Sequence, residues 1–151
     1  MPSPPDNAKL LDGWLALTGS PDLFTDPVRL PMFTGSMAPR IPIGCELVIA
    51  PADRRPWGRG DVVVFLRDEL LIAHRVLLIL GRGPGSWLLE KGDRNVGAGW
   101  IRRREVRGLV VDRIVTDTER RSLPLHQRGA LRESVIYSLR AVARRVLGRD
   151  D

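Results

Sequence analysis

Asp61-Val62-Val63-Val64-Phe65-Leu66 and Leu70-Leu71-Ile72-Ala73-His74-Arg75-Val76-Leu77-Leu78-Ile79-Leu80 decide the fold class. Both are short apolar runs bounded by turn formers, Pro56-Trp57-Gly58 ahead of the first and Gly81-Arg82-Gly83-Pro84-Gly85 after the second. That is how strands of a packed sheet read. Working outward, Cys45–Ala50, Trp87–Lys91 and Val106–Val115 repeat the pattern, with Pro51-Ala52-Asp53 and Gly97-Ala98-Gly99 as breaks. The middle of the chain is therefore expected to be mainly β.

The two ends read differently. Residues 1–31 are rich in proline and turn formers and form an N-terminal extension, in which Leu10, Leu11, Trp14, Leu15 and Leu17 are expected to make one short helix packed on the domain. Residues 32–118 hold the β-domain, and 119–151 a linker and a last helix. From Arg128 to Leu147 the residues Leu131, Val135, Ile136, Leu139, Val142, Ala143, Val146 and Leu147 recur at helical spacing, and Gly148 follows as a stop. This C-terminal amphipathic helix covers the core, lies on an anionic membrane surface or binds a partner.

At 151 residues the chain has room for one domain with a core of its own. The single cysteine, Cys45, excludes an internal disulfide and a thiolate metal site, and neither a metal nor an organic cofactor is expected. The net charge of +6 comes from arginine, Lys9 and Lys91 being the only lysines. The arginines are spread along the chain, and no zinc-finger spacing, aromatic RNA-binding strand or helix-turn-helix accompanies them, so nucleic acid is not an expected partner. A membrane-spanning helix needs about 20 consecutive apolar residues. No uninterrupted apolar run exceeds that of Val76 to Leu80, which is far shorter, and the N-terminus does not read as a signal peptide. A cytoplasmic location, at most peripheral to a membrane, is the expectation.

Three segments carry candidate chemistry. Ser36 lies in Thr34-Gly35-Ser36-Met37-Ala38-Pro39, His74 in Ala73-His74-Arg75-Val76 and Asp93 in Lys91-Gly92-Asp93-Arg94-Asn95. A serine hydroxyl needs a base to take its proton as it attacks, histidine suits that task, and a carboxylate orients the histidine; the three occur in any chain order. Each residue also has a plain structural reading. Ser36 alone is a loop serine, His74 a histidine on the face that Ile72 and Val76 share, and Asp93 a turn residue. His126 has no such context, and Asp61 is expected to hold a turn together.

Together with Arg59-Gly60-Asp61-Val62-Val63-Val64-Phe65, these segments resemble the signal peptidase family of serine peptidases, in its Ser-His form, over roughly residues 32 to 115. The resemblance implies a signal-peptidase or LexA-like β-fold and a peptide or precursor-protein substrate. It implies Ser36 as nucleophile, His74 as base, Asp93 as the residue orienting the base, and Thr34 as an oxyanion donor beside the Ser36 N–H. The Ser-Lys form needs a lysine in the strand that carries His74, and none is there. The chain departs from the family in having Gly44-Cys45 where Gly-Asp is usual.

Two rivals come from other classes. One is a catalytically inactive peptide-binding module on the same scaffold. The other is a self-cleaving LexA-type regulator, which needs a DNA-binding domain that the first 35 residues are too few to hold.

Overall fold

Successive side chains of Val62–Phe65 enter two different cores. Val62 and Val64 join Leu30, Met32, Met37, Ile41, Leu47, Ile49, Ala73 and Val110, whereas Val63 and Phe65 join Val76, Leu88, Ile101, Val106 and Leu109. A strand alternates its side chains between faces, so one buried on both sides must be apolar without interruption. This is why the segment shows no polar alternation.

The computed structural model describes residues 27–68, 70–116 and 119–122, with the isolated positions 132, 135, 136 and 139. Among the described residues there are eight strands: β1 Val28–Pro31, β2 Glu46–Pro51, β3 Val62–Arg67, β4 Leu70–Leu80, β5 Trp87–Lys91, β6 Gly99–Arg102, β7 Val106–Thr116 and β8 Glu119–Ser122. They form one antiparallel sheet in the order β1-β2-β7-β3-β4-β5-β6, with β8 paired to the far end of β7. A 3₁₀ turn, Arg103–Glu105, links β6 to β7. The described part of the chain is thus mainly β.

Three strands lie outside the expected set. β1 falls at the end of the segment read as an N-terminal extension, β6 begins at Gly99 in what read as a turn, and β8 falls in what read as a linker. Each is four residues long, so pairing with a neighbour rather than its own pattern holds it. Pro31 of β1 has no N–H, which an edge strand tolerates. The two expected helices, over Leu10–Leu17 and 128–147, lie outside the described residues apart from the isolated positions in the second. No described helix is long and apolar enough to cross a membrane.

Register places the site. β3 and β4 form a hairpin in which Val63 faces His74 and Arg67 faces Leu70, with Asp68 at φ 50° directly after β3. β5 joins β4 only from Arg75 onward, with Val76 opposite Glu90 and a bulge between Val76 and Leu78. Leu70–His74 therefore has no strand on its outer edge among the described residues. β1, at the sheet's end, pairs there with β2 alone.

Candidate active site

Ser36 stands on the loop between β1 and β2, and this loop is fixed from below. Met32 N–H donates to the Cys45 carbonyl at 2.8 Å and Gly44 N–H to the Met32 carbonyl at 2.9 Å, which closes the base of the loop. Met37 and Ile41 are wholly buried in the first core, and the Ile41 N–H donates to the Met37 carbonyl at 3.0 Å. The residue after Ser36 is thus an apolar anchor, which orients the serine toward the open side.

A second clamp comes from the turn between β5 and β6. The Ser36 carbonyl accepts the Arg94 N–H at 2.8 Å. A Cβ at Gly92 would lie 2.9 Å from that carbonyl oxygen and 2.8 Å from Asn95 Nδ2. No other residue fits there without moving either the Ser36 loop or Asn95.

His74 lies mid-strand in β4 and is buried. Phe65 meets it edge-on, with ring centroids 6.1 Å apart. Its Nδ1 is hydrogen-bonded to the Glu90 carboxylate, and its Nε2 lies 3.4 Å from Asn95 Nδ2. Glu90 in turn accepts Arg67 Nη2 at 2.8 Å. Burial by itself pushes the Glu90 carboxyl up, but the hydrogen bonds and charges of His74 and Arg67 outweigh it and hold the group below its ordinary value.

The expected orienting residue, Asp93, is elsewhere. Its two oxygens accept Arg75 Nε at 2.8 Å and Arg75 Nη2 at 2.7 Å, and Arg75 Nη1 donates to the Gly60 carbonyl at 2.7 Å. Strand alternation gives the reason: Arg75 follows His74 directly and so points to the opposite face of β4, where Asp93 meets it. Glu90 faces Val76 across the ladder and is the diagonal neighbour of His74 on the same face. Glu90 and Asn95 were not singled out from sequence, and the β4–β5 register is the signal that finds them.

Ser36 Oγ and Thr34 Oγ1 lie 3.3 Å apart, so the serine hydroxyl pairs with Thr34 and not with His74. Ser36, His74, Thr34 and Asn95 nevertheless line one cavity of about 770 Å³, whose remaining walls are mostly apolar, among them Leu30, Met32, Leu47, Ile49 and Val64. Asp61 accepts the Gly58 N–H at 2.8 Å and holds that turn.

Two further described groups with nucleophilic or basic chemistry, Lys91 and Cys45, are engaged elsewhere. Lys91 Nζ donates to the Gly92 carbonyl at 3.0 Å and the Asp93 carbonyl at 3.5 Å; burial holds its ammonium below the usual lysine value, with Asp93 pulling the other way. Cys45 is buried, and burial pushes its thiol up against the opposing effects of Arg113 and a backbone hydrogen bond, which disfavours the reactive thiolate.

No protein-family model matches the chain, and no curated protein matches it.

Proposed function

We propose that the chain is a serine endopeptidase of the signal-peptidase type, which cleaves a precursor peptide or protein through Ser36 and His74. The observation that carries this reading is that Ser36 and His74 line one apolar cavity while a carboxylate holds His74 Nδ1. The open edges support it. β1 and the first half of β4 both border the cavity through Leu30, Pro31 and Leu70–His74, and both have backbone groups free of a second strand among the described residues. An extended peptide is the ligand that satisfies such edges.

In the proposed cycle the Ser36 hydroxyl leaves Thr34 and turns to His74 Nε2. Oγ bonds to the scissile carbonyl carbon as its proton passes to Nε2, and the carbonyl electron pair moves to oxygen. The Ser36 N–H and the Thr34 hydroxyl are the proposed donors to that oxyanion. Collapse breaks the C–N bond, and the imidazolium returns the proton to the leaving amine. Water then attacks the ester, His74 again taking and returning a proton, and Ser36 is freed.

One observation favours a second reading, an inactive peptide-binding module: the Ser36 hydroxyl is bonded to Thr34 at 3.3 Å. Incubation with a proteome-derived peptide mixture, followed by mass spectrometry of newly formed termini, separates the two. New termini made by the wild type and absent with Ser36→Ala support the peptidase; binding of peptides with no new termini supports the module.

From its sequence pattern, segment 128–147 is proposed as an amphipathic helix that covers the domain. Salt-sensitive binding of the full chain to anionic vesicles would assign it to a membrane surface instead.

A further inference from the structure

We infer that Glu90 is the positioning residue of His74, locked in that role by Arg67 and by the absence of a side chain at Gly99, and that Asp93 serves the fold. The catalytic consequences rest on the peptidase reading, but the tautomer this arrangement imposes does not.

His74 and Arg75 point to opposite faces of β4, and each face carries an arginine–carboxylate pair, Arg75 with Asp93 on one and Arg67 of β3 with Glu90 of β5 on the other. His74 belongs to the second. Its ring is enclosed by Phe65 from β3, Glu90 from β5 and Asn95 from the β5–β6 turn, and the charged groups of this cluster are Glu90 and Arg67.

Glu90 is 1% exposed, so an unpartnered carboxyl there would take a proton. Arg67 prevents this. Its guanidinium donates to Oε1 at 2.8 Å and stacks over Phe65 with Cζ 5.2 Å from the ring centroid, which orients the arginine from the half-exposed side of the sheet. With Oε1 occupied by Arg67, Oε2 is the oxygen that meets His74 Nδ1. An anionic acceptor at Nδ1 places the imidazole proton on that nitrogen. The lone pair is then on Nε2, the nitrogen beside Asn95, and the same carboxylate stabilises the imidazolium once Nε2 has taken a proton.

Gly99 makes room for this arrangement. It pairs with Glu90 across β5–β6, and a Cβ there would lie 2.1 Å from Glu90 Oε1 and 3.0 Å from Arg67 Nη2. Any side chain at 99 must expel the carboxylate from its seat. A residue that read as part of a turn is therefore required by the base's support.

The test reads the tautomer directly. The chain has two histidines, so a His126→Gln background labelled with ¹⁵N-histidine reports His74 alone in long-range ¹H–¹⁵N spectra. The Nδ1–H form is expected, a shift toward the Nε2–H form in Glu90→Leu and Gly99→Ala, and no shift in Asp93→Asn. An Nε2–H form in the parent overturns the proposal without any variant, and so does a shift in Asp93→Asn equal to that in Glu90→Leu. Where Glu90→Leu does not fold, Glu90→Gln takes its place. With a cleavable peptide, Glu90→Gln should lower kcat about 10²- to 10⁴-fold with KM nearly unchanged. An Nδ1–H tautomer in a chain that cleaves nothing supports the assignment of Glu90 and overturns the peptidase reading alone.

Discussion

Arg75 grips Asp93 with two parallel hydrogen bonds, at 2.8 and 2.7 Å, in a site where the arginine is 1% and the aspartate 7% exposed. The pair joins the end of the β5 turn to mid-β4 and, through Gly60, to the entry of β3. It therefore ties together the elements that carry His74 and the support of Ser36. Removing one partner leaves a buried charge without compensation.

Asp93→Asn should accordingly cost about 3–5 kcal/mol of stability, seen as a lower denaturant midpoint with an unchanged slope. Peptide cleavage per folded molecule should change little. A loss of kcat with full stability would show that Asp93 acts on His74 after all.

Gly92→Ala should separate stability from site geometry in the other direction. The new methyl meets the Ser36 carbonyl oxygen and Asn95, so the Ser36 loop shifts while both cores remain packed. The expected outcome is a loss of kcat much larger than the change in thermal midpoint, measured side by side on one preparation.

Two titrations should appear as differences between wild type and single variants. The Glu90 carboxyl is lowered in the folded chain, so its contribution is present above the unfolded value of about 4.3 and is lost as pH falls through the folded value. Relative to Glu90→Gln, the wild type should lose stability on the acid side. Lys91 is also lowered, but for a cation this means that folding favours the neutral form. Relative to Lys91→Met, the wild type should gain stability as pH rises from the folded lysine value toward about 10.4. Denaturant midpoints across pH check both signs.

Thr34→Val removes the hydroxyl that lies 3.3 Å from Ser36 Oγ without changing the side chain's shape. If that hydroxyl is an oxyanion donor, kcat should fall about 10²- to 10³-fold with KM held. An unchanged kcat would restrict Thr34 to holding the resting rotamer of Ser36.

The long apolar strands were legible because burial on one or both faces writes itself into composition, as in Val62-Val63-Val64-Phe65. β1, β6 and β8 were not, since four residues such as Val28-Arg29-Leu30-Pro31 carry too little pattern and depend on a partner strand. At the site, Ser36 and His74 are singled out by the resemblance of their segments, and the structure lines one cavity with both. The choice between Glu90 and Asp93 could not be made from sequence. The two carboxylates are three positions apart, and which one reaches the imidazole depends on Val76 standing opposite Glu90 beside a bulge. Register of that kind comes from the paired sheet and not from either strand alone.

The central claim is that Ser36 and His74 act as one catalytic unit. The most direct measurement is the initial rate of cleavage of a single peptide by wild type, Ser36→Ala, His74→Ala and the double variant. Each single variant should lose nearly as much rate as the double. Near-equal rates for wild type and His74→Ala, with Ser36→Ala inactive, would contradict it and remove His74 as the base.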